Sequence, residues 1–130
     1  MTNKPKSKFA KYFDILVKKD YGLETIFLDT IFKKFGKVNN IIDLGCGTGN
    51  HALFLTKMGY KVVGIDIDEG MIQAASEKLK KINLNIIFLK QDVRDLRGEE
   101  KFDAAISMWA AFQEVIEYED IKKSLGKCAA

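Results

Sequence analysis

The chain is 130 residues long, with 47% hydrophobic and 30% charged residues. This composition is typical of one soluble globular domain with a hydrophobic core. No apolar run approaches the roughly 18 residues of a membrane-spanning helix, so the sequence predicts no membrane partner. The basic start of the chain, MTNKPKSKFAKYFD, also lacks the apolar centre of a secretory signal.

The formal net charge of +3 comes from 21 basic and 18 acidic side chains. The lysines are scattered, and the two arginines, Arg94 and Arg97, form no cluster with aromatic residues. Solvated helix faces explain this pattern better than a nucleic-acid track, so we expect no nucleic-acid partner. Cys46 and Cys128 have no metal-type spacing, and reduced thiols in a cytoplasmic protein are the expectation.

The predicted elements begin with two amphipathic helices, over 7–19 and 23–35, where apolar residues recur at helical spacing. Short β-rich runs then alternate with helical segments. Strands are predicted at 38–44, 60–65, 84–89 and 102–108, and helices at 50–58, 71–81 and 119–127. Strands that are apolar on both faces indicate a parallel sheet covered on both sides. The predicted fold class is therefore a doubly wound α/β fold with right-handed crossovers.

The stretch IIDLGCGTGN places glycines at alternate positions after the first predicted strand. Such a turn sets free backbone amides beside a ligand. The GxxxxGK pattern of nucleotide-triphosphate loops is absent, and the dinucleotide fingerprint GxGxxG requires glycine or alanine where Asn50 stands. The pattern acidic-x-Gly-x-Gly-x-Gly is matched in full, by Asp43, Gly45, Gly47 and Gly49.

Four segments carry a family resemblance: IIDLGCGTGN, VVGIDIDEGM, LKQDVRDL and KFDAAISMWAAF. They resemble, in order and spacing, the motifs of class I S-adenosylmethionine-dependent methyltransferases. YFDILVKKDYGLE also resembles the N-terminal cap of small-molecule members such as the glycine N-methyltransferase-like group. The resemblance implies a helical cap segment at 1–37 and a Rossmann-like domain at 38–130. It also implies S-adenosylmethionine as cofactor and S-adenosylhomocysteine as product.

The resemblance assigns the loop Gly45–Gly49, with Cys46 in it, to the methionine part of the cofactor. Asp43 is expected to accept loop amides or to meet the cofactor's amino group through water, and a turn-capping carboxylate is an equal alternative. Asp66, at the end of the second predicted strand, can accept both ribose hydroxyls. An NAD ribose offers the same diol, so Asp66 does not separate the two cofactors.

The adenine contacts implied by the resemblance come from two segments. Ile67 and Met71 would enclose the ring, with helix-start core as the alternative for Met71. Asp92 would accept from the exocyclic amine and the Val93 amide would reach a ring nitrogen. The alternative for Asp92 is an N-cap of a short turn over 92–96.

Further residues are expected around the reacting methyl group. The Met108 carbonyl would face the cofactor's amino group, and Trp109 is either a wall of the transfer site or ordinary core. Tyr12 and Tyr21 are expected to close over the methionine carboxylate, although packing explains Tyr12 almost as well. His51, the only histidine, receives no chemical role.

The expected reaction is in-line displacement of the sulfonium methyl, for which the protein supplies alignment and desolvation and needs no dedicated nucleophile. Ser107-Met108-Trp109-Ala110 stands where enzymes that methylate DNA amino groups or glutamine carry a Pro-Pro-aromatic motif, and where cytosine C5 enzymes carry Pro-Cys. A small-molecule acceptor is the remaining expectation.

The family's sheet has seven strands in the order 3-2-1-4-5-7-6, and this chain supplies four predicted strands. We therefore expect the cofactor-binding half of a methyltransferase. Its fourth strand would be an apolar edge, covered in a homodimer through that edge or through the last helix. Two alternatives stay open, an NAD-dependent oxidoreductase and a non-catalytic cofactor-binding or partner module.

Overall fold

The structure, a computed structural model, describes residues 20–96 and 102–108. The helices predicted over 7–19 and 119–127 lie outside these residues. The described helices are α1 (Tyr21–Lys34), α2 (Asn50–Lys57) and α3 (Glu69–Lys80), with a 3-10 turn at Val93–Asp95. The strands are β1 (Asn40–Leu44), β2 (Lys61–Asp66), β3 (Ile87–Lys90) and β4 (Ala104–Ile106).

The four strands form one parallel sheet in the order β3-β2-β1-β4. The register places Leu44 opposite Ile65 and Asp66 opposite Lys90, so the carboxyl ends of the strands meet at one edge. This confirms the predicted doubly wound Rossmann-like fold. The central strand β1 is almost entirely buried, and its buried residues are the apolar Ile41, Ile42 and Leu44 together with Asp43.

Neighbouring residues of a strand point to opposite faces of the sheet, and two core clusters follow from that alternation. Ile41 belongs to the cluster under α1 and α2, and Ile42 belongs to the cluster on the other face. Leu28 and Phe32 of α1 are buried in the first cluster. Helix α1 therefore shares a core with the sheet, and the division at residues 37 and 38 stays a prediction.

Three predicted strands are longer than the observed ones, because β1, β3 and β4 each begin two or three residues later than predicted. Ile86 is buried in the first core cluster, but pairing with β2 begins at Ile87. Before β4, the Asp103 carboxylate accepts the backbone N–H groups of Asn39 and Asn40 at 2.8 and 2.9 Å. These two bonds hold the pKa of Asp103 below its usual range.

Helix α3 begins at Glu69, earlier than the apolar pattern predicts, because its start is set by a cap. The Asp68 carboxylate accepts the Gly70 N–H at 2.8 Å, which satisfies one of the first-turn donors. In the same way, Asp20 accepts from the Leu23 N–H and starts α1.

Among residues 20–96 and 102–108, no helix combines the length and the apolarity that crossing a membrane requires.

Candidate functional site

The glycine loop, Gly45–Gly49, joins β1 to α2 at the carboxyl edge of the sheet. The N–H groups of Gly45 and Cys46 both donate to the Ile65 carbonyl at 2.9 Å, which ties the loop to the end of β2. The start of the loop therefore lies directly beside the carboxyl end of β2.

Gly49 is the N-cap of α2, with a left-handed φ of +85°. A Cβ at this position would lie 2.6 Å from Phe88 Cζ and 3.3 Å from Ala75 Cβ. Because β3 and α3 pack this closely, both the backbone angle and the available space require glycine here.

Gly47 differs from Gly49 in that it faces open space. Its φ is +59°, and no heavy atom of the described residues lies within 4 Å of where its Cβ would be. The Gly47 N–H donates to Asp66 Oδ2 at 2.9 Å. A ligand can therefore approach the backbone of this loop at Gly47, beside the Asp66 carboxylate.

Asp66 ends β2 and organises the loop. Besides the Gly47 N–H at Oδ2, its Oδ1 accepts the Asp68 N–H at 2.8 Å. These two bonds fix the orientation of the Asp66 carboxyl group, which is partly exposed at the carboxyl edge of the sheet.

Asp43 lies in β1, directly before the loop. It does not accept the Gly47 amide, which donates to Asp66. Asp43 is buried, and its Oδ2 has no hydrogen-bond partner among the described residues. Burial, and then the charge of Asp66, raise the pKa of Asp43 to about 8. The predicted contact with a cofactor amino group through water stays a prediction.

Cys46 lies on the inner side of the loop. Its thiol is buried and contacts the Gly47 carbonyl at 3.6 Å. Burial, followed by the charges of Asp43 and Asp66, raises the pKa of the thiol, so it is neutral. Gly64 of β2 makes room for it, since a Cβ there would lie 2.9 Å from the Cys46 sulfur.

The structure separates the predicted adenine contacts by exposure. Ile67 is 45% exposed beside Asp66, whereas Met71 is buried in the first turn of α3. Asp92 caps the 3-10 turn by accepting the Arg94 N–H at 2.9 Å, which confirms the alternative N-cap interpretation. Its ion pair with Arg94 holds the pKa of Asp92 below its usual range, and the Val93 side chain is buried.

The remaining predicted residues are only partly described. Met108 is half-buried beyond β4 and packs against the first core cluster. Tyr21 begins α1 and sets its ring edge against His51, with the ring centroids 5.0 Å apart. Tyr12 and Trp109 lie outside the described residues, so their roles stay predictions.

Sequence reasoning missed two polar contacts around the loop. His51 is 3% exposed, with Nε2 2.7 Å from Glu24 Oε1 on α1. Lys78 of α3 places Nζ 2.7 Å from Asn50 Oδ1 and 3.2 Å from Thr48 Oγ1. The partners are separated by 27 to 30 positions, so no local pattern signals them.

Residues 41–130 match the methyltransferase domain family. The chain belongs to that family. This match confirms the enzyme class that the four motifs predicted, the S-adenosylmethionine-dependent methyltransferases. It also confirms the predicted cofactor of that class, S-adenosylmethionine. The match leaves the alternative of an NAD-dependent oxidoreductase without support.

Two curated relatives show how far the methyltransferase similarity extends. A protein of Geobacillus sp. (strain WCH70), whose name assigns it provisionally to the methyltransferases, is 28% identical over 92% of this chain and 49% of its own length. The dTDP-3-amino-3,4,6-trideoxy-alpha-D-glucopyranose N,N-dimethyltransferase of Streptomyces venezuelae is 30% identical over 72% of this chain and 38% of its own. The chain thus spans about half the length, or less, of these relatives.

A solved structure supports the fold. The crystal structure of an S-adenosylmethionine-dependent methyltransferase from Clostridium acetobutylicum matches with a TM-score of 0.78 at 24% identity. The match covers 95% of this chain and 52% of that chain. Among the described residues, no group of His, Cys, Asp and Glu is arranged to hold a metal ion.

Proposed function

We propose that this methyltransferase chain binds S-adenosylmethionine at the carboxyl edge of its sheet and supplies the cofactor-binding half of an enzyme that methylates a small molecule. One observation carries the proposal. The Gly47 N–H to Asp66 bond joins the open glycine loop to a partly exposed carboxylate at the end of β2. A ligand with both a ribose diol and an amino-acid part fits this arrangement.

In this proposal each residue contacts a different part of the cofactor. Asp66 would accept the ribose hydroxyls, the open backbone at Gly47 would lie against the methionine part, and exposed Ile67 would cover one side of the adenine. Asp92, the Val93 amide and the Met108 carbonyl hold the positions that the family resemblance assigns to them. When bound, S-adenosylmethionine supplies a methyl group on a sulfonium sulfur, and the protein's part is to align it and to exclude water.

The small-molecule acceptor is inferred from two supports. The residues after β4, Ser107 and Met108, do not form the motifs of enzymes that methylate nucleic-acid bases or glutamine. The Streptomyces relative is, by its name, a dimethyltransferase of a nucleotide-linked amino sugar. The chain spans about half of its relatives' length. Methyl transfer by the whole protein is therefore part of this proposal, as is a location in the cytoplasm.

Titration calorimetry with S-adenosylmethionine, S-adenosylhomocysteine and NAD tests the cofactor. We expect both adenosyl-sulfur ligands to bind and NAD not to bind. Binding of NAD alone would overturn the proposal.

The ribose contact has its own test. Asp66→Ala is expected to weaken S-adenosylhomocysteine binding by about 1–3 kcal/mol, because a charged acceptor is lost. Removal of the ligand's 2′-hydroxyl should weaken binding to the unaltered chain and have little further effect on the Asp66→Ala variant. Additive losses would show that Asp66 acts only on the loop.

A further inference from the structure

The residues on both sides of Gly49 are held by charged side chains from two other helices. Before Gly49, Thr48 is buried and its hydroxyl lies 3.2 Å from Lys78 Nζ. After it, Asn50 Oδ1 lies 2.7 Å from the same ammonium group. His51 follows and places Nε2 2.7 Å from Glu24 Oε1.

The start of α2 has no side-chain cap of its own, because its N-cap is Gly49. Other helices of this fold use a carboxylate for that purpose, as Asp68 does for α3. Glycine also increases the conformational freedom of a loop that must be ordered before it binds a ligand. Contacts from outside the loop are therefore the available means of fixing its conformation.

The contact between Glu24 and His51 is short, and the His51 side chain is buried. When Glu24 is ionised, its carboxylate can only accept, and the donor is then Nε2 of His51. His51 is 3% exposed, and the ring edge of Tyr21 packs against it. Removing Glu24 would leave a buried donor without this acceptor, and the first turn of α2 would lose its link to α1.

We propose that Glu24 and Lys78 are positioning residues for the cofactor loop: Glu24 acts through His51, and Lys78 acts through Thr48 and Asn50. Together they hold the loop and the first turn of α2 from two sides, so that the amides at Gly47 and beyond are ordered before the cofactor binds. The inference rests on the proposed function, because the affinity it concerns is that for an adenosyl-sulfur ligand.

The test is calorimetric binding of S-adenosylhomocysteine to the 130-residue chain and to the variants Glu24→Ala and Lys78→Met. Tyr60→Phe is the matched control. The Tyr60 hydroxyl donates to Asp29 of α1, so this substitution removes a contact between α1 and the residue before β2. We expect Glu24→Ala and Lys78→Met each to weaken binding on the order of tenfold. Tyr60→Phe should change it by no more than about twofold.

Conservative variants and thermal melting separate positioning from loss of fold. Glu24→Gln keeps an acceptor for His51 and is expected to recover most of the affinity that Glu24→Ala loses. If Glu24→Ala does not fold, the comparison of Glu24→Gln and Lys78→Met with Tyr60→Phe decides. Failure of the unaltered chain to bind would overturn the proposed function itself. Normal binding by the unaltered chain, with Glu24→Ala or Lys78→Met no weaker than Tyr60→Phe, would overturn only the positioning role.

Discussion

At the residue scale, Asp43 and Asp66 lie near the carboxyl ends of neighbouring strands yet have different surroundings. Asp66 accepts two backbone N–H groups and is partly exposed. Asp43 is 1% exposed, and its Oδ2 has no hydrogen-bond partner in the described residues. Burial and the nearby charge of Asp66 raise the pKa of Asp43 to about 8, so its carboxyl group is mostly protonated at pH 7.

This raised pKa predicts a pH dependence of stability. Asp43 titrates near 3.8 in an unperturbed chain and near 8 in the folded one, so the folded state holds a proton that the unfolded state has released. The free energy of unfolding therefore falls as the pH rises from about 4 to about 8 and levels off above that. Asp43→Asn removes the titrating group at nearly the same size.

The measurement is thermal melting of both proteins between pH 5 and pH 8. The melting temperature of the unaltered chain should fall relative to that of Asp43→Asn as the pH rises. Asp29, Asp92 and Asp103 have lowered pKa values, so they titrate below this window and do not confuse the result. Parallel curves for the two proteins would contradict a raised pKa at Asp43.

Asp43 and Asp66 also show which features of single residues can be predicted from the sequence. Both follow apolar runs, so their positions at the carboxyl edge of the sheet were predictable from the periodicity of the strands. Which of them accepts the Gly47 amide depends on how the loop turns, and the turn brings that amide to Asp66. No local pattern contains that information.

At the element scale, the types and order of the described elements followed from periodicity, and their ends did not. Strand β4 is shorter than predicted at both ends, and before its start the Asp103 carboxylate accepts two amides near the start of β1. The early start of α3 depends on the Asp68 cap. Apolar patterns show which face is buried, whereas side-chain hydrogen bonds fix where an element begins.

The contact of the glycine loop with β3 and α3 gives a prediction for Gly49. Gly49→Ala must adopt a φ of +85° and place its Cβ 2.6 Å from the Phe88 ring. Gly59→Ala is the matched control, because Gly59 has a φ of +105° and no described heavy atom within 4 Å of its Cβ position.

Backbone strain alone should cost Gly59→Ala about 1–2 kcal/mol of the free energy of unfolding. Gly49→Ala should lose about 1–3 kcal/mol more, because the overlap with Phe88 is added. Urea unfolding of the two variants measures the difference. Equal losses would mean that Phe88 moves aside without cost.

At the scale of the whole molecule, the sequence predicted a parallel sheet, and the carboxyl ends of parallel strands share one edge. It did not predict that α1 and α3 hold the loop between them. Glu24 is 27 positions from His51, and Lys78 is 28 from Asn50, so these contacts arise only when the helices pack. The residues at this edge of the sheet were therefore open to prediction, and the side chains of α1 and α3 that contact the loop were not.

The edge strand β4 carries the last prediction. Within residues 20–96 and 102–108, β4 pairs with β1 alone, and the described residues place no strand on its other side. Ala105 sits in the middle of β4 with an exposed side chain, so a lysine there is compatible with the fold of one chain.

We expect light scattering to give a dimer for the 130-residue chain and a monomer for Ala105→Lys, because a charged edge residue disfavours edge-to-edge pairing. Ala105→Ser, which adds no charge, should remain a dimer. Circular dichroism of the three proteins checks that the fold is unchanged. A monomeric unaltered chain would contradict self-association, and a dimer that survives Ala105→Lys would place the interface away from β4. The outcome matters for function because an acceptor site beside Met108, which follows β4, would then lie next to a neighbouring chain.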